Sequence, residues 1–398
     1  MGLLEGIQIL DLADEKASFC SKLLADLGAR VVKIEKPGGD RSRELGPFPE
    51  ELPNPDRGIF FYYNNTNKLG ITLNLEYEDG KETFLKLLQK ADIVIETFPP
   101  GYLEQKGLGF DVLSLGNPNL ILVSVTGFGA KGPRSQHNSC DLVASAFGGQ
   151  MHVTGSSSTP PLKPFGEQSY YTASLFAAVS ILLALRKRAR TGKGEHMDIS
   201  VQEAVVSTLD HVMVRYFYEN TIAKRQGGAY WNHSFCILPC KDGHILLAPF
   251  QQWETLVEWM DSEGMAEDLG DEEYRQEEYR LAHIDHITEV LEQWTKTYTA
   301  KELFESGQLM RFPWAPITSL RAVLNNPQLK ARGFFIDIDH PDLKRSISYP
   351  GSPYKFSHPS TGRWKRSPLI GEDNFRIYQG ELGLSQEEYK RLLTLKVI

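Results

Sequence analysis

Residues 165–179, FGEQSYYTASLFAAV, combine reactive side chains with the start of an apolar helix. A polar stretch carrying the carboxylate Glu167 and the adjacent phenols Tyr170 and Tyr171 runs into small and apolar residues. A side chain at a helix N-terminus lies near free backbone N–H groups, which stabilise negative charge. The segment is therefore the first candidate for a site that holds a nucleophile.

A second candidate is the glycine-rich stretch 124–149, SVTGFGAKGPRSQHNSCDLVASAFGG, which leads into a helix at about Asp141. An acid in the first turn of a helix favours the helix dipole, and this alone can explain Asp141. His137 is predicted to be a loop residue. In RQGGAY, Gly227 and Gly228 allow the backbone to close over a ligand, although a domain linker would have the same composition.

Two common cofactor sites do not fit the sequence. The spacing of His233, Cys236, Cys240 and His244 matches no common zinc pattern, so no metal is predicted. The first βα turn, DLADEKAS, contains no glycine and has acids where a pyrophosphate would bind. NAD or FAD binding of the usual kind is therefore not expected, and no GxxxxGK[ST] motif is present.

Strands and helices alternate along the first 200 residues. Predicted strands are GIQILDL, RVVKIE, GITLNL, DIVIETF, LILVSVTGFG and EHMDIS, with helices at EKASFCSKLLADLG, DGKETFLKLLQKA, 172–190 and 201–219. The first helix is expected to place Phe19, Leu23, Leu24 and Leu27 on its core side and to stop at Gly28. Strands separated by helices predict an α/β fold with a mainly parallel sheet.

The pattern changes after residue 220. FCILPC and HILLAPF predict a hairpin with its turn at Asp242-Gly243, and helices follow over 251–307. We therefore predict a large domain over 1–220, a small α+β domain over 225–325, and a C-terminal segment, 326–398, that ends in a helix at SQEEYKRLLTL.

Composition narrows the classes of protein. The 398 residues carry a net charge of −8 with basic residues spread along the chain, so a nucleic-acid partner is not expected. Four cysteines do not make a disulfide framework, and the N-terminus does not resemble a signal peptide. The apolar stretch 173–185 is too short for a membrane span. The prediction is a cytoplasmic protein without a membrane partner.

Several stretches together resemble the class III CoA-transferase (CaiB/BaiF-type) family, which also contains α-methylacyl-CoA racemases. They are LLADLGARVVKIEKPGGDRSRELGPF, NKLGITLNL, ADIVIETFPPGYLEQKGLGFD, NPNLILVSVTGFGAKGP, RTGKGEHMDISVQEA, NPQLKARGFF and GSPYKFS. The resemblance implies a Rossmann-like large domain built from both ends of the chain, a small middle domain, and two subunits interlocked like links. It implies coenzyme A or acyl-CoA as the substrate, without metal or NAD.

Carried over from the family, the residues that contact coenzyme A would be Ala13, Asp14, Lys36, Leu73, Asn74, Leu75, Glu76, Thr97, Phe98, Gln105, Lys106, Asn138, Cys140 and Asp141. The lysines suit phosphate groups, and Phe98 offers a stacking surface for adenine. Family members usually have Arg at position 36 and Asn at position 97. The Gly227-Gly228 pair corresponds to a loop that shields the intermediate in a neighbouring active site.

The family reaction requires an enzyme carboxylate, which attacks an acyl-CoA thioester and forms a mixed anhydride. The resemblance places this aspartate 29 residues after Asp141, at Tyr170, and a phenol cannot form the anhydride. Glu167 or Asp141 could replace it, or Tyr170 could act as an acid in a different reaction. Racemases of the family use a histidine and an aspartate where this chain has Cys140 and Tyr170, so racemisation is less expected.

The resulting hypothesis is a non-catalytic subunit of a heteromeric class III CoA-transferase, with a homologous partner that carries the aspartate. Enzymes with unlike subunits that move CoA from succinyl-CoA to benzylsuccinate, in anaerobic aromatic degradation, fit best. The alternatives are a self-sufficient homodimeric transferase that uses Glu167 or Asp141, and an acyl-CoA binding protein without turnover.

Overall fold

The computed structural model describes residues 2–230, 234–357 and 364–398. Its strands are β1 (Gln8–Leu12), β2 (Arg30–Glu35), β3 (Leu69–Thr72), β4 (Ile93–Glu96), β5 (Ile121–Thr126), β6 (Glu195–Ser200), β7 (Ala229–Tyr230), β8 (Phe235–Cys240), β9 (Gly243–Leu247), β10 (Ala315–Pro316), β11 (Phe335–His340) and β12 (Arg345–Pro350).

Its α-helices are α1 (Ser18–Asp26), α2 (Ile59–Asn64), α3 (Glu78–Leu88), α4 (Tyr102–Gln105), α5 (Phe110–Gly116), α6 (Asp141–Phe147), α7 (Gln150–Val153), α8 (Gln168–Thr191), α9 (Val201–Val206), α10 (Asp210–Glu219), α11 (Trp253–Ser262), α12 (Glu277–Ala282), α13 (Ile284–Thr295), α14 (Ala300–Leu309), α15 (Leu320–Leu324), α16 (Pro327–Ala331) and α17 (Gln386–Thr394). Short 3₁₀ turns lie at Arg41–Glu44, Pro49–Glu51, Glu272–Arg275 and Pro341–Leu343, and a π-helix at Arg376–Glu381.

The main sheet has six strands in the order β3-β2-β1-β4-β5-β6, and every neighbouring pair is parallel. This confirms the predicted α/β class with a Rossmann-like parallel sheet. All six residues of β5 are buried, as expected for a strand covered on both faces by helices. The strand order reverses between β1 and β4, and in such sheets ligands bind outside the carboxyl ends of the strands at this point.

Helix α1 differs from its predicted packing. The predicted apolar stripe comprised Phe19, Leu23, Leu24 and Leu27, but only Leu24 is fully buried. The prediction of the stripe was wrong because α1 is covered by both α8 and the sheet, which centres its inward face on Cys20 and Leu24. Gly28 ends the helix as predicted: its φ is +100°, and a Cβ there would lie 2.8 Å from the Cα of Gly2.

Two further elements differ from the predictions. The region 201–219 was predicted as one helix, but Ser207 and Thr208 interrupt it, with hydroxyls that donate to the carbonyls of Glu203 and Val205. The β8–β9 hairpin is present, with Cys240 opposite Gly243. Its turn is therefore Lys241-Asp242, one residue earlier than predicted.

The chain divides into two compact units. The first contains residues 1–150, 163–221 and 332–398, and it holds the parallel sheet. The second contains 151–162 and 222–331, with an antiparallel sheet in the order β10-β9-β8-β7. Residues 151–162 belong to the second unit although the sequence analysis assigned them to the large domain.

Among the described residues one helix, α8, is long and apolar enough to cross a membrane by length and composition, and it extends beyond the predicted apolar stretch 173–185 at both ends. A core helix of a globular protein passes the same test. Ala173, Ala177 and Ile181 on α8 are fully buried against the sheet of the first unit. The helix ends at Gly192, whose φ is +66°.

Candidate functional site

A cleft of about 500 Å³ opens at the carboxyl ends of the parallel strands, at the reversal of strand order. Its lining combines apolar, hydroxyl and charged side chains from β1 to β5 and the loops that follow them. The residues are Leu12, Asp14, Lys16, Ile34, Glu35, Lys36, Gly39, Asp40, Arg41, Leu73, Leu75, Thr97, Phe98, Pro99, Pro100, Tyr102, Thr126, Gly127, Ser135, Gln136, His137, Asn138 and Ser139.

Buried ion pairs fix the loops at one side of the cleft. The Arg43 guanidinium donates two hydrogen bonds to the Glu35 carboxylate, from Nε at 2.6 Å and from Nη2 at 2.7 Å, and it lies 3.7 Å from the centre of the Phe61 ring. Arg43 is only 1% exposed, so this bidentate pair is formed away from water. Because Glu35 ends β2 and Arg43 belongs to the loop over 36–45, the pair holds that loop against the sheet.

Hydrogen bonds with buried lysines and with the loop after β4 fix the first βα turn, which follows β1. The buried ammonium of Lys33 donates to the carbonyl of Ala13. The ammonium of Lys68, also buried, bonds Asp11 Oδ2 at 2.9 Å, and its burial lowers its pKa to about 8. Within the turn, the backbone N–H of Asp14 donates to Oγ1 of Thr97, in the loop after β4, at 2.9 Å. These contacts fix the position of a turn that has no glycine.

Aromatic rings form another wall of the cleft. The rings of Phe98 and Tyr102 lie with their centres 4.5 Å apart at 31°. The Tyr102 hydroxyl donates to Glu76 at 2.7 Å, and Lys106 forms an ion pair with the same carboxylate. Lys36 lines the cleft and is exposed. The hydrogen bonds from Lys106 and Tyr102 lower the pKa of Glu76, and the charge of Lys36 lowers it further.

The cleft contains half of the residues predicted to contact coenzyme A, namely Asp14, Lys36, Leu73, Leu75, Thr97, Phe98 and Asn138. The other half does not line it, namely Ala13, Asn74, Glu76, Gln105, Lys106, Cys140 and Asp141. Ala13 and Asp141 are buried, and the side chain of Lys106 is directed to Glu76.

Sequence reasoning missed four charged residues of the cleft. Lys16, Glu35, Asp40 and Arg41 line it, although the resemblance did not single them out. For Arg41 the available signal was its place in the loop KPGGDRSRE directly after a predicted strand.

Tyr170 lies in the first turn of α8, three residues into the helix and not in the loop before it. It is 6% exposed and packs among Ala13, Ala17 and Ala173 in the core of the first unit. Burial, followed by the charge of Glu15, raises the pKa of its phenol, so the hydroxyl is neutral at physiological pH. The position that the resemblance gives to a nucleophilic carboxylate is thus occupied by a buried, uncharged ring.

Asp141 is used as a structural group. Its buried carboxylate accepts the backbone N–H of Ser169 at 2.8 Å and that of Tyr170 at 3.4 Å, so it caps the start of α8. Lys163 forms an ion pair with its other oxygen, and the Ser169 hydroxyl donates to its backbone carbonyl at 3.1 Å. No sequence spacing relates Lys163 to Asp141, which is why the sequence analysis missed this pair.

Glu167 is the residue immediately before α8, and it is partly exposed. Burial, followed by the charge of Asp141, raises the pKa of its carboxyl. It borders a small, tightly packed space, together with Glu15, Phe19, Phe60, Asn64, Tyr170 and Tyr171, that has no room for a water molecule. No acyl group fits into this space as it stands.

Gly227 and Gly228 lie in the second unit. Gly227 has a φ of +65°, and its N–H donates to the carbonyl of Gly155 at 3.0 Å. The carbonyl of Gly228 accepts the N–H of Ile237 at 2.8 Å. The pair therefore forms an anchored turn at the start of the antiparallel sheet.

Of the residues weighed as metal ligands, Cys236 and Cys240 are buried on β8 and His244 is exposed on β9. Burial raises the pKa of Cys236 to about 12, and Cys240 Sγ contacts Asp242 at 3.5 Å, whereas His233 lies outside the described residues. In the second unit, Glu267, Asp268 and His286 place possible ligand atoms within 4.8 Å of one another. Asp268 already bonds His286 at 2.6 Å and the hydroxyl of Tyr274 at 3.0 Å, which satisfies its carboxylate.

Residues 4–374 match CoA-transferase family III. The chain is similar to the succinyl-CoA:(R)-benzylsuccinate CoA-transferase subunit BbsE of Thauera aromatica, at 32% identity over 98% of this chain and 97% of that protein. It is also similar to the succinyl-CoA:mesaconate CoA-transferase of Haloarcula hispanica, at 33% identity over 94% of both proteins. Among solved structures, a CAIB/BAIF family protein from Brucella suis superposes with a TM-score of 0.83 at 31% identity, over 96% of this chain and 100% of that one. The chain therefore belongs to CoA-transferase family III.

Proposed function

We propose that this chain is the coenzyme A-binding, nucleophile-lacking subunit of a heteromeric class III CoA-transferase. A homologous partner subunit supplies the catalytic aspartate, and the two chains interlock as dimers of this family do. The complex moves CoA from an acyl-CoA such as succinyl-CoA to a carboxylic acid such as benzylsuccinate. The name of the Thauera relative, a subunit of an enzyme with these substrates, supports both the heteromer and the substrate class.

The observation that carries the proposal is the burial of Tyr170 at the start of α8. A phenol there cannot form an acyl anhydride, and the ring fills the space that a carboxylate and its acyl group would need. The two replacement carboxylates are poorly placed as well. Asp141 is committed to the N–H groups of α8 and to Lys163, and Glu167 borders a space without free volume.

The cleft supports retained binding of coenzyme A. Lys36 is exposed there for a phosphate group, and Phe98 presents a ring on which adenine can stack. Arg41, which is exposed, adds positive charge to the cleft, whereas Lys16 is paired with Asp14. In this proposal the binding domain is the first unit, residues 1–150, 163–221 and 332–398, and the second unit, 151–162 and 222–331, carries the Gly227-Gly228 turn that shields the partner's intermediate.

Expressing the chain alone and together with a homologous partner tests the proposal. We expect no transfer from succinyl-CoA by the chain alone and full transfer by the complex. Hydroxylamine should release acyl groups only from the partner, because an acyl anhydride or thioester on an enzyme carboxyl reacts with it. As matched variants, Glu167→Gln in this chain should leave the activity of the complex unchanged, and replacing the partner's aspartate by asparagine should abolish it.

Two outcomes would overturn the proposal. Transfer by the chain alone that Glu167→Gln abolishes would establish a self-sufficient transferase. Coenzyme A binding without any activity in either preparation would establish a binding protein without turnover.

A further inference from the structure

A buried carboxylate lies directly beneath the aromatic wall of the cleft. Glu96 is the last residue of β4 and is 6% exposed. Its Oε2 accepts the backbone N–H of Phe98 at 2.6 Å, a short charge-assisted hydrogen bond. This hydrogen bond fixes the position of the Phe98 backbone, and therefore the position of the Phe98 ring in the cleft.

Behind Glu96 a polar chain extends across two more strands. Ser124 on β5, the register partner of Glu96, hydrogen bonds the Glu96 carboxylate, and its Oγ lies 2.9 Å from Nε2 of His196 on β6. A serine hydroxyl has one proton to donate. When it goes to an ionised Glu96, the Ser124 oxygen accepts from an Nε2–H of His196.

The chain continues on the cleft side of Glu96. The residue between Glu96 and Phe98, Thr97, accepts the N–H of Asp14 at 2.9 Å, and the Phe98 ring packs on Tyr102. The end of β4 therefore holds both the first βα turn and the aromatic wall. A change in the Glu96 carboxylate therefore affects the position of both features.

We propose that Glu96 is a positioning residue of the cleft, whose ionised carboxylate holds the Phe98 backbone where the ring can support a nucleotide base and whose protonation releases that support. The affinity of the cleft for coenzyme A then falls as the solution becomes more acidic. This inference rests on the proposed function, since it requires that the cleft binds coenzyme A.

Burial places the transition in the neutral range. The pKa of Glu96 is raised to about 7, mainly by burial: the hydrogen bonds from Ser124 and Phe98 and the charge of Lys16 lower it, and the charge of Glu104 raises it. On β6, burial lowers the pKa of His196, which favours the neutral imidazole. Above pH 7 Glu96 is ionised and accepts the Phe98 N–H, and below pH 7 it is protonated and accepts it weakly.

Calorimetric titration with coenzyme A between pH 6 and pH 8 tests the inference. We expect the dissociation constant of the unmodified protein to rise by about tenfold from pH 8 to pH 6, the loss typical of one hydrogen bond to a charged group. Glu96→Gln keeps an acceptor for the Phe98 N–H but cannot ionise. Because its amide oxygen lacks the charge that strengthens the hydrogen bond, the variant should bind at every pH about as weakly as the unmodified protein does at pH 6, and so lose this pH dependence.

Three controls separate this effect from others. The phosphate groups of coenzyme A also titrate in this range, but they do so equally with both proteins, so the difference between the unmodified protein and Glu96→Gln isolates Glu96. Glu104→Gln removes the neighbouring carboxylate and should shift the transition to lower pH without abolishing it. Glu96→Leu leaves the Phe98 N–H unpaired and should weaken binding about tenfold at pH 8, with folding checked by circular dichroism.

A Glu96→Gln variant that keeps the full pH dependence would overturn the inference while leaving the proposed function intact. An unmodified protein that binds no coenzyme A at any pH would instead overturn the proposed binding role of the cleft, and the inference with it. The two failures are distinguishable because only the second affects the unmodified protein.

Discussion

Two neighbouring regions of the first unit, the cleft and the Tyr170 pocket, have been built in opposite ways. The cleft is open, about 500 Å³ in volume, and supported by buried ion pairs such as Arg43–Glu35. The Tyr170 pocket, bordered by Glu15, Phe19, Phe60, Asn64, Glu167, Tyr170 and Tyr171, has no free volume. Under the proposed function these are the binding part and the chemical part of one site, and their separate packing allows one to be filled while the other is kept.

The largest effect on stability is expected from restoring a carboxylate at position 170, in the filled pocket. Tyr170→Asp removes a buried ring and places a carboxyl beside Glu15 and Glu167. We expect the free energy of unfolding, measured by urea denaturation, to fall by about 4–5 kcal/mol, from the cavity and from the buried acid. The lone chain should still form no hydroxylamine-sensitive acyl intermediate.

The matched control is Tyr170→Phe, which keeps the ring and should cost less than about 1 kcal/mol. Acyl transfer by the lone Tyr170→Asp chain would contradict the comparison, because it would mean that the pocket reopens once the ring is gone.

The next effect tests the other side of the comparison, the ionic support of the cleft. Arg43→Met leaves the carboxylate of Glu35 buried without its partner, and we expect the free energy of unfolding to fall by about 3–5 kcal/mol. The double variant Glu35→Leu/Arg43→Met should recover part of this loss, since an apolar pair carries no unpaired charge.

Arg391→Met provides the control for Arg43. Arg391 also binds a carboxylate through two hydrogen bonds, to Asp79 at 2.9 Å each, but it does so at the surface. No measurable change is expected there. An equal loss in both variants would show that burial is not what gives the Arg43 pair its strength.

The sequence predicted the cleft better than the pocket, for a physical reason. Strands such as IVIE in β4 and ILVSVT in β5 are apolar throughout, which indicates buried parallel strands, and the carboxyl ends of such strands meet at one edge. Thr97 and Phe98, which the family resemblance carried over as contacts, lie at this edge directly after β4. The ion pair of Lys163 with Asp141 joins residues 22 positions apart through a loop, and local periodicity carries no information about such a contact.

The sequence also did not predict how the Tyr170 side chain packs. The resemblance placed this tyrosine at the position of the family nucleophile, but it did not reveal that the side chain is buried in a core cluster with Ala13 and Ala17, which precede α1, and Ala173 of α8. That outcome depends on how closely the two helices approach, which small residues permit without specifying. For the same reason the buried face of α1 was predicted one position away from where it lies.

A smaller effect, on the dissociation constant for coenzyme A, should distinguish the exposed cleft residue Lys36 from the ion-paired Lys106. Lys36→Ala should raise the dissociation constant for coenzyme A about tenfold, because Lys36 is exposed at the cleft and its charge is available to a phosphate. Lys106→Ala should raise it about twofold or less, since Lys106 is paired with Glu76 and does not line the cleft. Titration at two salt concentrations checks this, as only the Lys36 contribution should weaken with salt. Equal losses from the two variants would mean that Lys106 leaves Glu76 for the ligand.

The smallest effect on the free chain is expected just outside the Tyr170 pocket. Phe165 is 97% exposed, and on α8 Leu175, Phe176, Val179, Leu182 and Leu183 form an exposed apolar face. A large apolar side chain in water contributes little to the stability of the chain that carries it, so Phe165→Ser and Phe176→Ser should change the free energy of unfolding by less than about 0.5 kcal/mol.

In the proposed heteromer the same residues have a different role. An apolar face on a long helix is typical of a protein interface, and covering it provides free energy that the free chain cannot gain. Phe176→Ser should therefore weaken association with the partner subunit, measured by sedimentation velocity, while the urea midpoint of the free chain stays constant. Lys301→Ser, on the exposed surface of α14, serves as the control and should change neither quantity. If Phe176→Ser lowers the urea midpoint and leaves association unaffected, the face belongs to the folding of this chain and not to its assembly.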